Sequence, residues 1–141
     1  MKKMIVVGLM LVSIATFAQK IDGSKVPATA QATFSKNFPG IKDVKWEKEK
    51  GNYEANFKQD DQKMSAVFDA NGGLLETETG IAISDLPAGV AEYVAKNYKG
   101  EKIKEAAKLK MANGDTNYEA AVKGKDLIFD AKGNFIKAVK D

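Results

Sequence analysis

Apolar residues recur every four positions in two stretches of the chain: Val26, Ala30, Phe34 and Phe38, then Leu86, Val90, Val94 and Tyr98. That spacing lays an apolar stripe along one face of a helix. Pro27 and Pro87 stand where a first helical turn tolerates a missing N–H. Gly40 and Gly100 are placed to end the two helices. After each helix the period drops to two. Val44-Lys45-Trp46-Glu47 alternates apolar with charged, and Tyr53, Ala55 and Phe57 alternate with Glu54, Asn56 and Lys58. Met64, Ala66 and Phe68 alternate with Ser65, a pattern that Val67 interrupts. Such alternation predicts strands with one buried and one wet face. Lys50-Gly51-Asn52, Gln59-Asp60-Asp61-Gln62, Asp69-Ala70-Asn71-Gly72-Gly73 and Lys123-Gly124-Lys125 supply the turns, with glycine giving the positive φ that tight hairpins need. The gaps are too short for crossover helices, so the strands are expected to be antiparallel. The last strand of each half carries an adjacent apolar pair, Leu74-Leu75 and Phe135-Ile136, and its faces cannot be assigned by alternation.

The two stretches belong to two copies of one unit. Val26-Pro27-Ala28 answers to Leu86-Pro87-Ala88, and Ser35-Lys36-Asn37-Phe38-Pro39-Gly40 to Ala95-Lys96-Asn97-Tyr98-Lys99-Gly100. Asn52-Tyr53-Glu54-Ala55 recurs unchanged as Asn117-Tyr118-Glu119-Ala120, and Phe68-Asp69-Ala70-Asn71-Gly72 returns as Phe129-Asp130-Ala131-Lys132-Gly133. The expected fold is α+β: two tandem repeats, residues 24–79 and 84–141, joined by Gly80-Ile81-Ala82-Ile83. Each repeat is expected to pack one helix on its own antiparallel sheet of about four strands. Tyr53, Phe57 and Phe68 should form the first core beneath Phe34 and Phe38. Tyr118, Val122, Leu127 and Phe129 should form the second. Trp46 has the parity of Val44 and is assigned to the core, with its repeat counterpart near Lys108 or Leu109.

Composition narrows the function. Lys2 and Lys3 precede an apolar run from Met4 to Ile14 and small residues ending at Ala18, the order of a secretory signal peptide cut after Ala18. The run is shorter than the roughly 20 residues needed to cross a bilayer. The protein is therefore expected to be periplasmic or secreted, with no membrane insertion once the signal is removed. Removal lowers the formal net charge from +3 to +1, since the signal holds two lysines and no acid. A near-neutral chain gives no footprint for nucleic acid. There is no cysteine and no histidine. Disulfides, Ser–His–Asp and Cys–His sites, and His- or thiolate-bound zinc are thereby excluded. Asp60-Asp61 reads as a polar turn. Asp69-x-Asn71-Gly72 would need a Glu twelve positions on to make a calcium loop, yet that position is Gly80, and the second copy puts Lys132 among the ligands. No catalytic residue, metal site or cofactor is expected, and the chain does not read as an enzyme.

The Leu-Pro helix start, the Asn-Tyr-Glu-Ala strand and the Phe-Asp-x-x-Gly hairpin together resemble the PepSY-like family, small exported proteins of beta-lactamase-inhibitor-like kind. The resemblance spans Val26 to Val139 and implies a tandem α+β repeat and export, with no settled activity. Related modules are associated with peptidase propeptides, and the beta-lactamase inhibitor clamps its target with two tandem sheets. No contact residue of that inhibitor can be carried onto this chain, so inhibition remains an analogy of fold. The wet sheet face is the candidate for function: Lys45, Glu54, Asn56 and Lys58 in one unit, Glu119 and Lys123 in the other. The expected activity is non-catalytic binding of a protein or peptide in the periplasm. The alternatives are inhibition of a periplasmic peptidase or beta-lactamase, and binding of a small ligand between the units.

Overall fold

A computed structural model describes residues 18–140, so the expected signal peptide lies outside the described residues apart from Ala18. In chain order the elements are β1 (Gln19–Ile21), α1 (Ala28–Asn37), β2 (Lys45–Glu49), β3 (Asn52–Gln59), β4 (Gln62–Phe68) and β5 (Leu74–Ile81). Then come α2 (Ala88–Asn97), β6 (Glu105–Met111), β7 (Thr116–Val122), β8 (Lys125–Asp130) and β9 (Phe135–Lys140). The helices start directly after Pro27 and Pro87, and Gly40 and Gly100 take positive φ in the turns beyond their ends.

The expectation of two separate sheets is corrected. All nine strands form one antiparallel sheet in sequence order, β1 to β9. The reason lies in β5, which pairs with β4 along one edge and with β6 along the other. Gly80 and Ile81, expected in a linker, are instead the last residues of β5 and lie opposite Ala107 and Ala106. An unpaired edge leaves a row of N–H and C=O groups without partners, and joining the halves removes two such edges. β1, which alternation did not reveal, adds a ninth strand against β2.

Both helices cover the same side of this sheet. Residues directly opposite on neighbouring strands share a face, and the register links Ala55, Ala66, Thr77, Lys110 and Thr116 in one row. Ala120 and Val122 share the Thr116 face by alternation. Beneath α1, Phe34 meets Phe57 at a ring-centroid distance of 5.1 Å and Trp46 at 5.6 Å, with Phe68 fully buried. Beneath α2, Val90, Val94, Val122, Leu127 and Phe129 form a second cluster, closed at its side by Tyr93 stacked on Phe135 at 4.5 Å. Tyr118, expected in this core, stays half-buried. It lies opposite Lys108, near the strip where Thr77, Thr79, Lys108 and Lys110 separate the two clusters. Trp46 pairs with Ala55 as Ala106 pairs with Ala120. The counterpart of Trp46 is thus Ala106, and the aromatic volume of the first core is not repeated in the second.

The adjacent apolar pairs are β-bulges. Val67 faces Glu76 and Phe68 faces Leu74, leaving Leu75 as the extra residue. Ile128 faces Lys137 and Phe129 faces Phe135, leaving Ile136 extra. A bulge bends its strand and raises the local twist. The hairpin before each bulge then rests on a helix start. Asp69 Oδ1 accepts from the N–H groups of Asn71 and Gly73 at 2.9 and 2.8 Å, which commits that oxygen to a turn rather than to a cation. The Thr33 hydroxyl donates to the Gly72 carbonyl at 2.7 Å. A Cβ built on Gly72 would lie 2.6–2.8 Å from the Thr29 carbonyl group and Cβ. The second hairpin repeats the arrangement: Asp130 Oδ1 accepts from the N–H groups of Lys132 and Asn134, and the Gly133 carbonyl lies 3.0 Å from where a Gly89 Cβ would stand.

Gly72→Ala should therefore cost far more than Gly40→Ala in a denaturant titration. Both glycines have φ near +85° (+86° and +83°), which costs an L-residue about 1–2 kcal/mol. Only Gly72 adds a backbone overlap, worth about another 1–3 kcal/mol, whereas nothing lies within 4 Å of a Gly40 Cβ. Equal losses in the two variants would show that the hairpin does not seat on α1.

Candidate functional site

With both helices on one side, the other side of the sheet has no helical cover among the described residues. The register defines what it carries. One row runs Lys45, Asn56, Ser65, Glu78, Leu109 and Asn117 across β2 to β7. Beside it, Glu47, Glu54, Val67, Glu76 and Met111 form a second row. Gly80, Ala107, Glu119, Ile128 and Lys137 form a third. A short row of Glu105, Ala121, Asp126 and Val139 completes the face.

The middle of this face is sunken. Ser65, Ala107, Leu109 and Ile128 are buried although no helix lies over them. Two hollows open there, of about 210 Å³ beside Glu54, Ser65, Glu78 and Glu105 and about 190 Å³ beside Glu76, Leu109, Asp126 and Ile128. Glu119 borders both. A larger hollow of about 780 Å³ lies elsewhere, between α1, β2 and the edge strand β1, with Trp46 and Phe34 in its wall. It is not between the halves, where sequence reasoning placed a small-ligand site.

Of the six residues singled out in the sequence, the structure sets Lys45, Glu54, Asn56 and Glu119 on this face within paired strands, with Lys45 directly opposite Asn56. Lys58 has the same parity but sits exposed near the end of β3, opposite Lys63. Lys123 lies in the tight turn after β7 and is exposed. Five carboxylates of these rows were missed: Glu47, Glu76, Glu78, Glu105 and Asp126. The signal for Glu76 and Glu78 was the Glu76-Thr77-Glu78-Thr79 run, which alternates acid with hydroxyl and offers no apolar face to orient it.

The electrostatics follow from this crowding. Burial pushes the Glu78 carboxyl up to about 7, and Glu54, Glu76, Asp126 and Glu105 add repulsion. Glu54 is also raised, chiefly by burial and further by Glu47, Glu49 and Glu76, against a hydrogen bond with Ser65. Burial raises Glu76 as well, countered by Lys137. Cations in or beside the hollows are Lys63 and Lys137; Lys108 and Lys110 share the opposite face by register with Thr79 and Thr77. Among the described residues no helix is long and apolar enough to cross a membrane.

These observations define an α+β protein with two helices on one side of a nine-stranded antiparallel sheet and a recessed, acid-lined opposite side. The chain matches the family described as "Putative beta-lactamase-inhibitor-like, PepSY-like" over residues 14–76 and 52–137, and it belongs to that family. Solved structures share the fold. A BLIP-like protein from Bacteroides fragilis is 26% identical, with a TM-score of 0.63 over 81% of this chain and 86% of that one. A DUF2874 family protein from Bacteroides uniformis is 20% identical, with a TM-score of 0.69 over 81% and 88%. A protein from Bacteroides eggerthii described as "putative periplasmic" is 15% identical, with a TM-score of 0.70 over 82% and 88%. No curated protein matches the chain.

The acid-lined face makes stability depend on pH. A carboxyl whose folded pKa exceeds its unfolded value of 4.5 stabilises the fold while protonated, and that contribution is lost as pH rises through the folded value. Histidine is absent, so these carboxyls dominate the window between pH 5 and pH 8. Thermal unfolding should show higher stability at pH 5 than at pH 8, with Glu78 contributing up to about 3 kcal/mol. Glu78→Gln should flatten the curve and stabilise the protein at pH 8. Stability that is flat or rises over this interval in the unsubstituted protein would contradict the assignment.

Proposed function

We propose that this is an exported, periplasmic, non-catalytic protein that binds a protein or peptide on the helix-free face of its sheet. In this reading the signal is removed after Ala18, and residues 24–79 and 84–141 are two copies of one unit fused through a shared sheet. Lys45, Glu54, Asn56 and Glu119 lie in the contact surface, with Lys58 and Lys123 at its margin. The observation that carries the reading is the recess itself. Leu109 and Ile128 are apolar and sit in the floor of a surface that no helix among the described residues covers, and Val139 beside them is 41% exposed. A hollow with an apolar floor and polar walls is the shape in which a partner's side chains are commonly held. Restraint of a periplasmic peptidase or beta-lactamase is a narrower form of the same activity. It draws on the family description alone.

A photo-crosslinking residue tests this in the periplasm of the producing cell. Placed at Val139 on the open face, it should yield a discrete higher-mass product. Placed at the exposed Glu92 on α2, it should not. Products of equal yield from both positions, or none from Val139, would refute a dedicated face.

A further inference from the structure

On the basis of that reading, we propose that the helix-free face docks an extended segment of a partner protein in which Lys or Arg side chains alternate with apolar ones. The first support is how charge is distributed. The formal charge of residues 19–141 is close to neutral, yet the strands place their acids on one side of the sheet, while lysines lie on both, with Lys45, Lys58, Lys63 and Lys137 on the open side. β5 places Glu76 and Glu78 on the open face and Thr77 and Thr79 on the helix face; β6 places Glu105 on the open face and Lys108 and Lys110 on the other. Around the recess Glu54, Glu76, Glu78, Glu105, Glu119 and Asp126 stand with Lys63 and Lys137 as the nearby cations. A cationic partner lowers the repulsion among these carboxylates, and an anionic one adds to it.

The second support is shape. The carboxylates extend from β3 to β8, five strand spacings, or about 24 Å. A compact polyamine does not need such a length or an apolar floor. An extended chain of about seven or eight residues covers it, with every second side chain turned toward the sheet. The exposed Val139, at the rim of the hollow floored by the buried Leu109 and Ile128, gives one apolar side chain a place to lie beside the acids. Glu78, held half-protonated near neutrality, binds a cation only as the carboxylate, so docking should strengthen with rising pH. The titratable and polar groups around it are Glu54 from β3, Lys63 and Ser65 from β4, Glu76 from β5, Glu105 from β6, Glu119 from β7 and Asp126 from β8, with Lys137 of β9 beside Glu76.

The test is calorimetric titration of the exported protein with a capped octapeptide alternating Lys or Arg with Val or Thr. The same peptide with Glu at every basic position and spermine serve as the other arms. The basic peptide should bind at least about tenfold more tightly than spermine, lose about tenfold or more between 50 and 500 mM salt, and weaken from pH 8 to pH 5.5. The acidic peptide should not bind. Glu76→Gln with Glu78→Gln should weaken the basic peptide by about tenfold or more, and this pair folds because it removes charges that burial disfavours. Lys108→Gln with Lys110→Gln, on the far side, should stay within about twofold. Equal binding of the acidic peptide, spermine as tight as the peptide, or an unchanged affinity in the glutamine pair overturns the inference. If the basic peptide fails to bind while Val139 still crosslinks in the cell, the cationic partner is wrong and the binding face stands. If Val139 does not crosslink, the face is wrong too.

Discussion

Everything distinctive in this molecule depends on the main-chain pairing of β5 with β6. Each half by itself is a helix over a short antiparallel sheet. Once β5 offers its second edge to β6, the two sheets share one plane and one pair of faces. Both helices must then lie on the same side, because the register carries the Ala55 face across to the Ala120 face without a flip. A slip of one residue between β5 and β6 would put the two apolar clusters on opposite sides, and no helix-free face would exist. Hydrogen bonds that stabilise each strand only modestly thus determine which side of the protein is open.

Local pattern made much of this legible. Both helices, their proline starts and the alternation of β2, β3 and β7 are visible in residue order, because a buried face must be apolar at the period of the element that presents it. Lys45, Glu54, Asn56 and Glu119 could be placed on the wet side from that alternation alone. Pairing between β5 and β6 could not be read the same way. Gly80-Ile81-Ala82-Ile83 has the small-residue look of a connection, and nothing local distinguishes a strand that ends from one that pairs again on its other edge. The bulges at Leu75 and Ile136 hid the faces of β5 and β9, since one inserted residue shifts every later side chain out of phase. That shift concealed Glu76 and Glu78, and with them the most strongly raised carboxyl among the described residues. Val67 looked like a defect in the alternation. It faces Glu76 on the open side, and its counterpart Ile128 lines the floor of the recess.

The bulges lie next to both the acidic recess and the tightly seated hairpins. Each bulge follows an Asp-capped hairpin that is pinned to the first turn of a helix, by Gly72 against Thr29 and by Gly133 against Gly89. Between the bulges, a surface that no described helix covers still buries Leu109 and Ile128, and burial there favours the protonated form of Glu54, Glu76 and Glu78.

The two apolar clusters have no residue in common, and the strip between them is built of threonines and lysines. The molecule is therefore two leaves sewn along a single backbone seam. Loosening of one leaf need not melt the other, and the seam sets the angle between them. A ligand lying across that seam touches both leaves at once and would stiffen the whole, so that occupancy on one side of the sheet is felt as rigidity on the other.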